Sequence, residues 1–233
     1  MRPLRIPAVL AVLLPLMLAA CTGSLFSSKA PPLTTYLLTA GAAQPAVGTA
    51  ASEPGGPGSS GAASPAGEIP ADLAILKPRV RAGLDTDRIA VLYPDRRLDY
   101  FAAARWSGPL DEVVQDLAVQ AFHTDAHLRN VSGDSSAFAS SYWLEIEVTD
   151  FQAEYSPAAA APTVHVHFVA RLGSSRERRV QSRFEADARR TATDNRLTAI
   201  VEAYSQAVDA ALAALAADVS GALRKSTDGR TPP

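Results

Sequence analysis

The alternation of apolar and polar positions is clearest in the second half of the chain. Leu144, Ile146 and Val148 alternate with Glu145, Glu147 and Thr149, and Val164, Val166, Phe168 and Ala170 alternate with His165, His167 and Arg171. Val180, Ser182, Phe184, Ala186 and Ala188 continue the pattern against Arg179, Gln181, Arg183, Glu185 and Asp187. A period of two puts one set of side chains on a buried face and the other in water, so this stretch predicts three strands of an antiparallel sheet, joined by a Ser-Pro-Ala-rich turn and a Gly-Ser-Ser turn. Four more strand candidates precede them. They are Tyr36-Leu37-Leu38, Leu73 to Leu76, Arg88 to Tyr93 closed by Pro94-Asp95, and a returning arm between Arg97 and Arg105 that contains Leu98-Asp99-Tyr100-Phe101-Ala102.

After Trp106 the period changes. Leu110, Val113, Val114, Leu117, Ala118, Ala121 and Phe122 recur at three and four, which predicts an amphipathic helix over about residues 108–126. Ser107 is placed to cap it, Pro109 suits its first turn, and Asp111 and Glu112 put negative charge at the positive end of the helix dipole. A second helix, capped by Thr193 or Asp194, carries the stripe Leu197, Ile200, Val201, Tyr204, Val208, Ala211, Leu212, Leu215 and Val219 and is expected to run to about Leu223. The tail from Arg224 to Pro233 is polar and reads as flexible. Two helices segregated from about seven strands predict an α+β fold: a mixed, largely antiparallel sheet with two long helices packed on one face.

With 233 residues, 47% of them hydrophobic, the chain has material for one well-cored domain, placed at residues 36–223. Residues 41–70 are mostly Gly, Ala, Pro and Ser, too poor in apolar side chains to offset the entropy of ordering, and read as a disordered insertion. A net charge of −2 gives no electrostatic reason to expect nucleic acid as a partner.

The first residues carry a different signal. Arg2 and Arg5 precede the apolar run Ala8 to Met17, followed by Leu18-Ala19-Ala20-Cys21. A basic start, a short apolar core and small residues before the break are the parts of a secretory signal, and the run is shorter than the roughly 20 residues that span a bilayer. Leu-Ala-Ala-Cys resembles the lipobox of bacterial lipoproteins, which implies removal of residues 1–20, acylation of Cys21 and membrane anchoring through a tether at residues 21–35. Cys21 is the single cysteine, so no disulfide within the chain competes for it. Thr22 stands where an aspartate would resemble an inner-membrane retention signal, and this favours the periplasmic side of the outer membrane.

Candidate chemistry in the domain is sparse. His165 and His167 lie two apart on one strand face, as do Glu145 and Glu147 on the preceding strand. Such pairs can hold a metal or form cross-strand charge pairs; with no third ligand at good spacing, no metal is assigned. The chain has no Gly-x-Ser-x-Gly elbow, phosphate-binding loop, dinucleotide-binding glycine pattern or His-Glu-x-x-His, so neither a catalytic set nor a cofactor is assigned and the reading is non-enzymatic. Arg176, Arg178, Arg179, Arg183, Arg189 and Arg190 form the strongest local charge feature, either solvated or suited to an acidic partner or lipid headgroups.

One ordered set of segments resembles a known family. Tyr36-Leu37-Leu38 soon after the cysteine, Leu84-Asp85-Thr86-Asp87-Arg88-Ile89-Ala90-Val91, and Leu98-Asp99-Tyr100-Phe101-Ala102-Ala103-Ala104-Arg105-Trp106-Ser107-Gly108-Pro109-Leu110 are similar to the auxiliary lipoprotein component of ABC-type transport systems, the family that includes the paraquat-inducible lipoprotein of the MCE pathways. Thr86-Asp87 lengthens the family's Leu-Asp-Arg element, and the insertion at 41–70 is longer than its pattern. The resemblance implies a periplasmic subunit, anchored to the outer membrane, that assists an MCE protein, an inner-membrane permease and an ATPase in moving lipid. Phospholipid contact and a homo-oligomer are conceivable on this reading, and an envelope or peptidoglycan scaffold is the alternative. Tyr100, Phe101 and Trp106 are either core or, with Arg105, Arg179 and Arg183, contacts for a partner or lipid.

Overall fold

The computed structural model describes residues 32–39, 67–133 and 140–228. The signal segment, Cys21 and nearly all of the tether lie outside these residues, as does most of the insertion expected at 41–70. In chain order the elements are β1 (Thr34–Tyr36), β2 (Ile69–Ile75), β3 (Arg79–Val80), β4 (Arg88–Leu92), β5 (Leu98–Trp106), α1 (Leu110–Asp125), β6 (Leu128–Gly133), β7 (Tyr142–Glu154), β8 (Thr163–Ser174), β9 (Arg179–Thr191) and α2 (Leu197–Asp228).

The sheet is built around β7. One of its edges runs antiparallel to β8 from Tyr142↔Ser174 to Glu154↔Thr163. Its other edge is shared by three shorter parallel strands in succession: β2 opposite Tyr142 to Leu144, β3 opposite Glu147 and Val148, and β4 opposite Ala153 and Glu154. Beyond these, β6 adds in parallel to β2, β5 adds antiparallel to β4, and β1 adds in parallel to β5. On the far side β9 pairs antiparallel with β8. The longest ladders are antiparallel and the joins are parallel, so the sheet is mixed as the sequence predicts.

Two strands escape the sequence pattern. β3 has two residues, and β6 spaces Leu128 and Val131 three apart, so neither offers an alternation to read. The first strand is Thr34–Tyr36 rather than Tyr36 to Leu38; Leu37 is exposed while Leu38 is buried in the core. The expected Gly-Ser-Ser turn is also displaced, because Gly173 and Ser174 are the last residues of β8.

A bulge in β7 changes which residues face inward. Val148 pairs with Phe168 and Asp150 with His167, which leaves Thr149 as an extra residue. Before it Leu144, Ile146 and Val148 are fully buried in the hydrophobic core; after it Phe151 and Ala153 are. The alternation read from sequence therefore holds only up to the bulge.

Both helices cover one face of the sheet. The buried residues of α1 are Leu110, Val113, Val114, Leu117, Ala118, Ala121 and Phe122, the predicted stripe in full. Its start differs: Pro109 is the N-cap and no side chain caps the helix, so Ser107 does not play that part. The Leu110 N–H donates instead to the Thr86 carbonyl at 3.2 Å, and the Glu112 N–H to Asp111 Oδ1 at 2.8 Å. The second helix runs past Leu223 to Asp228, further than its stripe predicts, because Leu223 is itself buried and holds the last turns down. By length and composition α2 could cross a membrane, yet Ile200, Tyr204, Val208, Leu212, Leu215 and Val219 are buried in the domain core. Its small alanines, Ala203, Ala207 and Ala211, let it lie close on β8 and β9.

An aromatic cluster locks the layers together. Trp106 from β5 meets Tyr204 from α2 edge-on at 5.1 Å between ring centres and Phe151 from β7 at 6.0 Å. Burial pushes the Tyr204 phenol well above its ordinary value, and its hydroxyl donates to the Ala90 carbonyl at 2.8 Å. The parallel pair of β2 and β6 is clamped by Arg129, which donates to both carboxylate oxygens of Asp72, with Asn130 donating to Asp72 Oδ1 at 3.1 Å. Hydrogen bonds from Arg129 hold the Asp72 carboxyl below its ordinary value of 3.8, against the opposing effect of burial.

Two outcomes follow. Gly173 lies directly opposite Trp143, and a Cβ at Gly173 would run into the indole ring. Gly173→Ala should lower stability by about 2 kcal/mol in denaturant unfolding, as overpacking does. A depressed carboxyl contributes stability above its unfolded value that is lost as pH falls through the folded value. Asp72→Asn should cost about 1–2 kcal/mol at neutral pH, less than a buried pair because Arg129 is half exposed, and that cost should shrink in melts as the pH is taken down below the ordinary carboxyl value of 3.8.

Candidate functional site

The face of the sheet opposite the helices is where polar chemistry collects. On β8 the odd-numbered residues point to it, and the bulge in β7 turns Asp150, Gln152 and Glu154 toward the same side. The register sets His165 between Gln152 on β7 and Arg189 on β9, and His167 between Asp150 and Asp187. Glu145 and Glu147 share a strand face as the two histidines do, but the register does not set them opposite the histidines. Those glutamates instead pair with Arg171, at 3.2 and 3.3 Å, and Glu145 also with Arg79 at 2.8 Å. The shift arises because β7 extends to Glu154, further than the visible alternation.

This face is not uniformly wet. His165 is 6% exposed and Gln152 5%, although each lies away from the helices. His165 Nδ1 is 3.0 Å from Glu154 Oε1 and its Nε2 is 2.7 Å from Asp187 Oδ2. The two carboxylates lie on opposite sides of the imidazole, one at each ring nitrogen. Arg189 Nη2 lies against the ring, 3.1 Å from each ring nitrogen, while its Nη1 donates to Glu154 Oε2 at 2.9 Å. Gln152 Nε2 donates to Asp150 Oδ1 and Glu154 Oε1, both at 3.0 Å. His167 Nδ1 is 2.7 Å from the hydroxyl of Thr149, the bulge residue. The hydrogen bond from His165 holds the Asp187 carboxyl below its ordinary value; burial opposes this, and the charges of Arg189 and His167 assist.

The network forms one wall of a cleft of about 690 Å³. Arg81, 3.7 Å from Asp150, stands at its side. The rest of the lining comes from Leu84 in the loop before β4, from Leu92, Tyr93, Arg96 and Leu98 of the β4–β5 hairpin, and from Tyr155. Tyr93 and Tyr155 stack at 5.5 Å, Arg97 lies 4.3 Å above the Tyr93 ring, and the Tyr155 hydroxyl donates to Asn195 at 2.6 Å. Burial beside Tyr93 moves the Tyr155 phenol upward. The lining combines cations and carboxylates with apolar and aromatic surface, a mixture suited to binding a ligand. Among the described residues no group of three or more His, Cys, Asp and Glu is placed to hold a metal ion. Both ring nitrogens of His165 are already taken by carboxylates.

The other residues singled out in the sequence lie apart from this cleft. Trp106 is 1% exposed and belongs to the core, so a partner has nothing of it to touch. Tyr100 and Phe101 are half buried; the Tyr100 hydroxyl donates to Gly83 at 2.7 Å and Arg88 sits 4.3 Å over its ring. Arg105 is exposed and reaches Thr35 at 3.3 Å and Asp87 at 3.7 Å. The arginine cluster is strung along β9 and the turn before it rather than gathered in one patch: Arg179 pairs with Glu177 at 2.8 Å, Arg183 with Glu185 at 2.6 Å, and Arg189 joins the His165 network. Since among the described residues β9 pairs only with β8, these charges sit on a sheet edge, where they discourage further strand pairing. Asp150, Gln152, Glu154, Arg81 and Arg96 were missed from sequence. The spacing of two in Asp150, Gln152 and Glu154, matching His165 and His167, was the available signal.

Comparison with known proteins agrees with this architecture. Protein XCC0632 from Xanthomonas campestris, assigned to the family DUF330, superposes with a TM-score of 0.65 at 22% identity, over 85% of this chain and 99% of its own. A second crystal structure, of an uncharacterised protein, gives 0.54 at 15% identity, over 65% of this chain and 95% of its own. At these identities the likeness is one of fold. No curated protein matches the chain in sequence. The family model for ABC-type transport auxiliary lipoprotein components matches residues 56–216, which takes in every element from β2 to the greater part of α2. The chain therefore belongs to the family of ABC-type transport auxiliary lipoprotein components.

Proposed function

We propose that this auxiliary lipoprotein is a non-enzymatic docking subunit of an MCE-type lipid transport system, held by acylated Cys21 on the periplasmic side of the outer membrane. The observation that carries the reading is the family match over residues 56–216 in a chain that opens with a lipobox at Leu18-Ala19-Ala20-Cys21. An MCE protein, a permease and an ATPase are the partners. Several acyl chains, each methylene contributing about 0.8 kcal/mol when buried, make such an anchor effectively permanent. The cleft and the polar network are consistent with a module that binds rather than transforms. The anchor has a mechanical part on this reading: it keeps the domain at one membrane while the permease works in the other.

Cys21→Ser should move the protein from the membrane to the soluble fraction without lowering the melting temperature of the domain, and should impair lipid transport. Affinity purification from solubilised envelopes should recover an MCE protein. Retention of the soluble domain on sedimented cell wall, with no MCE protein recovered, would replace this reading with that of a peptidoglycan scaffold.

A further inference from the structure

We propose that a second cleft, at the Tyr142 end of β7, binds an uncharged pyranose ring of a glycan chain, stacked on Trp143. Ala74, Leu76, Ser140, Trp143, Glu145 and Ser175 line it around about 390 Å³. The register sets Trp143 between Ala74 on β2 and Gly173 on β8, on the sheet face away from the helices. Small residues thus flank the indole on both sides. The ring fills the space that a Cβ at Gly173 would need, so it lies across the glycine backbone. The other tryptophan, Trp106, is 1% exposed in the core, whereas Trp143 is only partly covered and presents its remaining surface to the cleft.

The charges beside the ring decide what kind of ligand fits. Glu145 is paired with Arg79 at 2.8 Å and with Arg171 at 3.2 Å, and Arg171 also with Glu147 at 3.3 Å. Two carboxylates and two guanidiniums therefore neutralise one another, and an ionic ligand would have to break a pair to find a partner. What remains is the aromatic surface, the hydroxyls of Ser140 and Ser175, and a second lone pair on each Glu145 oxygen. A pyranose matches that set: the weakly positive C–H groups of its ring face suit the negative face of an indole, and its hydroxyls donate and accept around the rim. A polyproline segment would call for a groove lined by several aromatics. Trp143 is the one aromatic among the described residues lining this cleft.

The test uses the full lipidated chain in a polyoxyethylene-ether detergent, which has no sugar headgroup to compete, titrated with tri-N-acetylchitotriose and with cellotriose. Tryptophan emission is the first readout, because Trp106 is buried and Trp143 is the ring a ligand can reach. The expected result is that a trisaccharide shifts the emission and shields Trp143 from iodide quenching. By calorimetry Trp143→Ala should bind the same sugar about tenfold more weakly, and Trp143→Phe, which keeps a ring over Gly173, should retain part of the affinity. Tighter binding of the acetylated trimer supports the site with an N-acetylated, cell-wall type of glycan as its source; equal binding supports it with a glycan read through its ring alone. No change in emission or quenching with either sugar at about 10 mM overturns the site, and this measurement on the parent stands even if a variant fails to fold. Equal affinity of parent and Trp143→Ala overturns it too, as does a response to a decaproline peptide with none to the sugars. The inference is independent of the transport reading, which recovery of an MCE protein tests separately.

Discussion

The fold depends on one constraint, the satisfaction of both backbone edges of β7. A strand from Tyr142 to Glu154 buried in the middle of a sheet must have its N–H and C=O groups paired on each side. β8 does this along one edge by itself. The other edge is completed piecewise by β2, β3 and β4, each contributing two or three residues. None of these short strands has enough ladder to be stable alone, so each is held by what packs on it: β2 by β6 and the Asp72–Arg129 clamp, β3 by its place over α1, and β4 by β5 and the Tyr204 hydroxyl. Parallel joins of this kind need long connections, and the segments between β2, β4 and β7 provide them.

The bulge at Thr149 links that architecture to the candidate site. Without it, Phe151 and Ala153 would face outward and Asp150, Gln152 and Glu154 would be driven toward the helices. With it, the core keeps Phe151 against Trp106 and Tyr204, and the opposite face gains three polar side chains in line with His165 and His167. One inserted residue thus serves both faces at once, which is why Thr149 is tied down by its bond to His167. Burial of His165 among Glu154, Asp187 and Arg189 is tolerable because each charge there has an opposite neighbour.

In this member of the auxiliary lipoprotein family the candidate site is non-local. Its cleft is assembled from four segments far apart in the chain: the residues after β3, the β4–β5 hairpin, the end of β7, and the paired β8 and β9. The arginines that look like a cluster in the sequence are separated by strand geometry, since successive residues of a strand rise about 3.3 Å each and alternate in direction. Only Arg189 of that group lines the cleft, together with Arg81 and Arg96, which no spacing along the chain joins to it.

Periodicity alone determined the class of fold, the face of α1, the stripe of α2 and the three long strands, because burial imposes a period of 3.6 or 2 directly on the residues that face the core. The Leu18-Ala19-Ala20-Cys21 run that resembles a lipobox is likewise local, contained in four residues. What only the tertiary structure decided is where a strand slips or bulges and which strand lies beside which. β3 and β6 owe their state to partners far away in the chain, Trp106 owes its burial to Tyr204 and Phe151, and His165 owes its carboxylate partners to the register across β7, β8 and β9. A shift of register by a single residue sends every following side chain to the other face, and nothing local in the chain marks where that shift will fall.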